Sequence, residues 1–273
     1  MSADWSTYDE VAPRYGRFVA FNGYAALAAD LVAELQLAPG AVVLDVGCGT
    51  GVVTAAMRAR LGTIGSIAAL DVSMPMVRAA VLTGVGRGIV ATATGLPFRA
   101  ASFDAVAASL VLSHLDSYGE AILELMRVLK PGGKLGVTAW AQGGSRGSPA
   151  SAAWVSFAES VVGRKALAKA LGRVAPHEDR FGDAAQLSAA LEDGTNLDDL
   201  RIQVREYRIA MPLSDYLEMF AVFTLGRFVR ASLGPSRWRE FRREAEEKVR
   251  AACGERIEYT ARYHIAVARK RSS

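Results

Sequence analysis

Cysteine is scarce in this chain: Cys48 and Cys253 are the only two in 273 residues. That excludes a disulfide-stapled scaffold, and no Cys/His spacing suits zinc, so no metal is expected. Long apolar runs are missing too. None reaches the roughly 18 residues of a membrane span, so no membrane is expected as a partner. Residues 1–10 have neither a basic start nor an apolar run, which predicts no signal peptide and a cytoplasmic location. The composition, 51% hydrophobic and 22% charged, excludes wholesale disorder and supports a sizeable core. The length fits one large domain or one domain with a decorated insert. Residues 1–140 hold 10 Lys and Arg against 11 Asp and Glu, net −1; residues 141–273 hold 22 against 17, net +5. The basic excess forms no stripe. Arg237, Arg239, Arg242, Arg243, Lys248 and Arg250 interleave with Glu240, Glu244, Glu246 and Glu247, as on a solvated helix face, and no nucleic-acid partner is expected.

What is present is an alternation. Apolar residues at spacings of three and four predict an amphipathic helix over 5–22, interrupted near Pro13, and a second helix over 24–37. Residues 41–46 form a short continuous apolar run, the signature of a strand buried on both faces. A helix over 52–61 follows, then strands at 66–71, 88–92, 103–109 and 134–140, with helices at 74–82 and 116–129 and a turn at Pro131–Gly133. This order predicts an α/β fold: a doubly wound, mostly parallel, seven-stranded sheet with helices on both faces. After Trp140 the pattern changes. A flexible loop at 143–149 leads into helices at about 150–172 and 183–192. A half-exposed strand at 200–210, a long helical stretch at 214–252 and a last strand at 257–267 complete the chain. The predicted organisation is a core over 1–140, a helical cap over 141–199, and the last two strands over 200–273 with a helical lid inserted at about 214–252.

The strongest local signal is Leu44-Asp-Val-Gly-Cys-Gly-Thr-Gly51, after a strand and before a helix. Glycines there let the backbone turn and let a ligand approach closely. Asp71 ends the next strand, where a carboxylate can accept hydrogen bonds from two ribose hydroxyls. These residues, with Leu70-Asp-Val-Ser-Met-Pro-Met76, Leu96-Pro-Phe98, Ser102-Phe-Asp104 and Arg127-Val-Leu-Lys-Pro-Gly-Gly133, resemble class I S-adenosylmethionine-dependent methyltransferases. The branch is that of ubiquinone and menaquinone C-methyltransferases and natural-product tailoring enzymes, with antibiotic biosynthesis among its roles. The resemblance covers about half the chain, residues 5–140.

The resemblance implies S-adenosylmethionine as cofactor and S-adenosylhomocysteine as product. It puts Gly47, Gly49 and Gly51 under the methionine part, and Asp45 at the loop or at the cofactor amino group. Asp71 would hold the ribose, with Val72 beside it, and Met76 would pack on adenine. Ser109 and Leu110 would offer backbone groups. Tyr15 would close over the cofactor and Tyr8 would lie against substrate, unless both serve helix packing. One position departs from the pattern: Thr92-Ala93 stands where relatives carry Asp-Ala, and a neutral hydroxyl is a weaker adenine partner than a carboxylate.

Methyl transfer needs mostly positioning, with a base for some acceptors. Of the three histidines, His114 follows a strand end and is the candidate base or orienting group. His177 is a candidate substrate contact, and His264 is read as structural. The apolar surface of Leu213, Leu217, Phe220, Phe223, Leu225, Phe228 and Val229 is wider than one helix face needs. It serves core packing or a dimer interface, or it is a lid over a hydrophobic acceptor pocket, with Phe220 and Phe223 lining it. The acceptor expected is a moderately large, largely apolar small molecule, quinone-like or another natural product, methylated on O, N or C by a monomer or homodimer. A cyclase on the same fold that keeps the cofactor without methylating is the alternative. A binding protein with a degenerate site is a third reading, opposed by the intact loop and Asp71.

Overall fold

The computed structural model describes residues 6–19, 23–82, 87–142 and 148–272. Two helices, α1 (Ala12–Val19) and α2 (Tyr24–Leu35), precede the alternating core. The core runs β1 (Val42–Val46), α3 (Val52–Leu61), β2 (Ser66–Asp71), α4 (Met74–Leu82), β3 (Arg87–Val90), β4 (Phe103–Ser109), α5 (Tyr118–Val128) and β5 (Leu129–Trp140). Four helices follow: α6 (Pro149–Val162), α7 (Arg164–Val174), α8 (Glu178–Phe181) and α9 (Ala184–Glu192). Then come β6 (Leu197–Pro212), α10 (Leu213–Val222), α11 (Thr224–Cys253) and β7 (Arg256–Lys270).

Among the described residues, seven strands form one sheet in the order β3-β2-β1-β4-β5-β7-β6. Strands β1 to β5 pair parallel, and β7 enters antiparallel between β5 and β6. The chain order reverses between β1 and β4, so a crevice opens at their carboxyl ends, where open α/β sheets place their ligands. The continuous apolar runs of β1 and β4 are buried because helices cover both faces. One face packs Leu27, Leu31, Leu35 and Met57 of α2 and α3 with Tyr263 of β7. The other packs Ile122, Leu125 and Leu187 of α5 and α9 with Leu44 and Val106.

The structure corrects several element boundaries. Pro13 does not interrupt α1 but sits in its first turn, where a missing N–H costs nothing. The turn expected at 131–133 lies inside β5: Leu129 pairs with Phe103, and the register then shifts so that Lys134 pairs with Ala105. The helix expected at 150–172 is two helices parted by Gly163, and the stretch at 214–252 is α10 and α11. α11 is itself kinked at Gly234, before Pro235. Residues 143–147 of the loop expected at 143–149 lie outside the described residues. Two sequence motifs prove to be one structural clasp. Arg127 donates to the carbonyls of Leu96 and Phe98, while the Glu124 carboxylate accepts from Leu96 N–H and from Arg127.

The insert helices pack through aromatic rings. Trp154 of α6 is 2% exposed and lies against Phe220 and Phe241, and Phe241 stacks on Phe157 at 5.0 Å. The junction of α10 and α11 depends on Gly226, where an added Cβ would stand 1.9 Å from the Phe220 carbonyl oxygen. Backbone cannot yield as a flexible side chain can. Gly226→Ala should therefore destabilise the protein by about 3 kcal/mol, the upper range for overpacking, as read by chemical denaturation; an unchanged midpoint would show that the junction is loose.

Candidate active site

The glycine loop leaves β1 at Val46 and is held by the next strand. Cys48 N–H donates to the Leu70 carbonyl at 2.9 Å. The Asp71 carboxylate then bridges two turns: Oδ2 accepts from Gly49 N–H and Oδ1 from Ser73 N–H, each at 2.9 Å. Gly47 has φ +67°, and a Cβ there would come within 2.2 Å of Val111 Cγ2, so loop and post-β4 segment close on each other only through glycine. Burial raises the Asp71 pKa, opposed by those backbone hydrogen bonds.

Asp45, 1% exposed, accepts from Thr54 Oγ1 at 2.5 Å. Its burial pushes the carboxyl up to about 7, against the lowering effect of Thr54. At the end of β4, Ser109 Oγ hydrogen-bonds Thr138 Oγ1 at 2.8 Å, and Leu110 N–H reaches Thr138 at 3.1 Å. Leu110 has φ +57°, a left-handed conformation that costs a branched residue energy and often marks functional turns.

Two cavities open at the carboxyl ends of the strands. The first, about 510 Å³, is lined by the glycine loop, by Asp45 and Asp71, and by residues 6–9. The second, about 840 Å³, lies under α6, α10 and α11 and is lined by aromatic and aliphatic side chains with Glu159, Arg164, Glu178 and Asp179. They share Tyr8, Tyr15, Tyr24, Leu110 and His114. Tyr8 meets Tyr15 edge-on at 5.7 Å and His114 at 6.1 Å. His114 Nδ1 lies 2.7 Å from the Val174 carbonyl oxygen. A carbonyl only accepts, so Nδ1 carries the proton and Nε2 of the neutral ring is a lone-pair nitrogen. The His114 surface opens onto the cavities, and enclosure by protein lowers its pKa, opposed by the Val174 bond.

The family profile described as methyltransferase domain matches residues 44–137, the stretch from β1 to β5 that builds the first cavity. Residues 44–137 carry a methyltransferase domain. The chain is 32% identical over 138 residues to a demethylmenaquinone methyltransferase of Lactiplantibacillus plantarum, covering 47% of this chain and 58% of that protein. It is 35% identical over 167 residues to a ubiquinone biosynthesis O-methyltransferase of Xanthomonas oryzae pv. oryzae, covering 59% and 64%. The matches thus span about three fifths of these relatives. A solved S-adenosylmethionine-dependent methyltransferase of Thermotoga maritima, titled a possible histamine N-methyltransferase, shares the fold at TM-score 0.56, with 18% identity over 98% of this chain and 100% of that one. The solved (4+2)-cyclase SpnF matches at TM-score 0.50 and 25% identity, over 91% of this chain and 81% of that one.

Against this methyltransferase frame the predicted residues divide. Asp45, Gly47, Gly49, Asp71, Val72, Met76, Ala93 and Ser109 line the first cavity, Phe220 and Phe223 line the second, and Tyr8, Tyr15 and His114 line both. Three do not join them. Gly51 caps α3 at φ +91° and stands behind the loop. The exposed Thr92 turns its hydroxyl to Thr94, 3.0 Å away, because residues 92–95 form a tight turn, leaving Ala91 and Ala93 on the wall. His177 is a packing residue: its ring lies 4.7 Å from Tyr118, its Nε2 approaches the Asp116 carbonyl, and its N–H donates to Ser113. Sequence reasoning missed Tyr24 and Trp140 as cavity residues. Trp140 carried a signal, since it closes a strand at its carboxyl end; Tyr24 looked like any helix residue.

Asp45 makes stability depend on pH. An unfolded aspartate titrates near 3.8, whereas this one titrates near 7 when folded. The unfolded chain therefore loses the proton first as pH rises, and the group's contribution falls from pH about 4 to about 7. Asp45→Asn should gain on the wild type by at most about 4 kcal/mol between pH 4 and 8, measured by denaturant unfolding without ligand. A pH-independent difference would show that Asp45 ionises normally.

Proposed function

We propose that the first cavity holds S-adenosylmethionine and that the protein methylates O, N or C of a moderately large, largely apolar small molecule seated in the second. The observation that carries this reading is the common wall: the cavity floored by the glycine loop and Asp71 meets the aromatic cavity at Tyr8, Tyr15, Leu110 and His114. The residues fit the cofactor. Each Asp71 oxygen takes one backbone N–H and keeps a lone pair for a ribose hydroxyl. A Cβ on Gly49 would meet no protein atom, so the space above the loop is open to the methionine part. Asp45 is a buried carboxyl suited to the cofactor's ammonium group. Met76, Val72 and Ala93 supply an apolar adenine wall, and Ser109 and Leu110 the backbone at the methionine end. The names of the matched relatives support a quinone-like or other natural-product acceptor.

Bound there, the cofactor supplies an activated methyl group, and the protein's part is placement and proton removal. Tyr8 and Tyr15 exclude water from the junction. His114, neutral near pH 7 with Nε2 free of its proton, takes the proton of an acceptor O–H, N–H or acidic C–H. Phe220, Phe223 and Trp140 hold the acceptor's apolar body against it. His114→Gln should leave cofactor affinity within about twofold while acceptor turnover falls about 100-fold or more. The wild-type rate should rise with pH to a plateau, with its midpoint below the ordinary histidine pKa, the direction its lowered pKa dictates.

Calorimetry with S-adenosylmethionine tests the cofactor half. Asp71→Ala should weaken binding by about 1–3 kcal/mol, and absence of binding by the wild type would sink the assignment. Phe220→Ala and Phe223→Ala test the acceptor half. Both side chains are half-buried, so the variants should fold, bind cofactor and turn acceptor over poorly; unfolding with losses of about 3–5 kcal/mol would make them core residues. A second reading, a cyclase that retains the cofactor, is supported by the similarity to SpnF. Formation of S-adenosylhomocysteine in step with acceptor consumption decides for methyl transfer; rearranged product without it decides for the cyclase.

A further inference from the structure

The segment from Ser6 to Val11 has neither helix nor strand, yet Ser6, Thr7, Tyr8 and Asp9 line the first cavity. Its anchors come from the insert. The Arg227 guanidinium of α11 lies over the Tyr8 ring, 4.4 Å from its centroid, and Arg227 Nη1 donates to the Thr7 carbonyl oxygen. Nearby, Tyr15 meets Phe223 edge-on at 5.6 Å. Arg14 and Arg17 of α1 pair with Glu218 and Asp215 of α10 at 2.5 and 3.5 Å, but both arginines are open to solvent, where such pairs contribute little. Arg227 differs: it is 6% exposed, and a desolvated guanidinium that both stacks and donates is not replaced by another cation.

We propose that Arg227 is a positioning residue of the cofactor site: it ties the segment roofing the first cavity to the helix that walls the second, and so controls release of the cofactor product. This rests on the reading of the first cavity as the S-adenosyl site. Arg227 lines neither cavity; it acts through Tyr8 and the Thr7 carbonyl. With the latch made, residues 6–9 stay over the bound cofactor and Tyr8 completes the shared wall. With it broken, the roof is free to lift although the glycine loop and Asp71 are unaltered.

The test follows release of S-adenosylhomocysteine from the immobilised full chain by surface plasmon resonance. Arg227→Met should release it about tenfold faster than wild type, with an unliganded melting curve showing that the variant is folded. Tyr8→Ala should speed release too, and in that background Arg227→Met should add less than about twofold, since one latch cannot be broken twice. Unchanged release from folded Arg227→Met, or effects that multiply in the double variant, would overturn the proposal. If Arg227→Met does not fold, Arg227→Lys carries the same test: it keeps charge and stem but loses the planar fork, and release should quicken by about threefold; no change overturns it. A wild type that fails to bind S-adenosylhomocysteine removes the cofactor reading and this proposal together, whereas binding with unaltered release in the variants removes the latch alone.

Discussion

The Asp71 carboxylate, shared between the N–H groups of Gly49 and Ser73, is the interaction on which the site depends. It fastens the turn after β1 to the turn after β2, and thereby fixes the floor of the first cavity. The strands beneath it are held in parallel register, so the carboxylate sets the height of the loop above the sheet. A charged acceptor forms stronger hydrogen bonds than a neutral one, and these backbone donors offset part of its desolvation. The remaining lone pairs face a cavity of ligand size. In the proposed reading, structure and ligand recognition use opposite sides of one group.

The second constraint is the aromatic wall. Tyr8 and Tyr15 reach the crevice from the N-terminal segment, Phe220 and Phe223 from the insert, and His114 from the turn after β4. None of these elements is adjacent in sequence, and each alone would expose a ring. Together they separate two cavities that share only a few residues, an arrangement suited to bringing two reactants to one point without admitting water. The insert has two jobs. Trp154 and Phe241 hold its helices together, while Phe220 and Phe223 turn toward the cavity. The apolar surface that looked excessive for one helix divides between core and pocket.

Much of this was legible in local spacing. A continuous apolar run, glycines, a helix and a strand-end aspartate within thirty residues depend on backbone geometry that acts over a few positions, so β1, the glycine loop and Asp71 stood out. The doubly wound sheet followed from strand and helix alternation. Boundaries were less legible. Pro13 reads as an interruption unless the helix start is known, and the β5 irregularity exists only because Phe103 and Ala105 pair with residues five apart.

The sequence alone determined the α/β class, the glycine loop and its acidic partner, because these arise from interactions between near neighbours. Tertiary structure decided which side chains face the cavities. Thr92 and His177 sit in plausible places along the chain, yet one turns to Thr94 and the other packs on Tyr118, because their turns orient them away. Arg227 lies 219 residues from Tyr8 in sequence, and no periodicity marks it. Only burial of the insert against the N-terminal segment brings the guanidinium over that ring. Contacts of this kind are set by packing between distant elements, which local spacing does not encode.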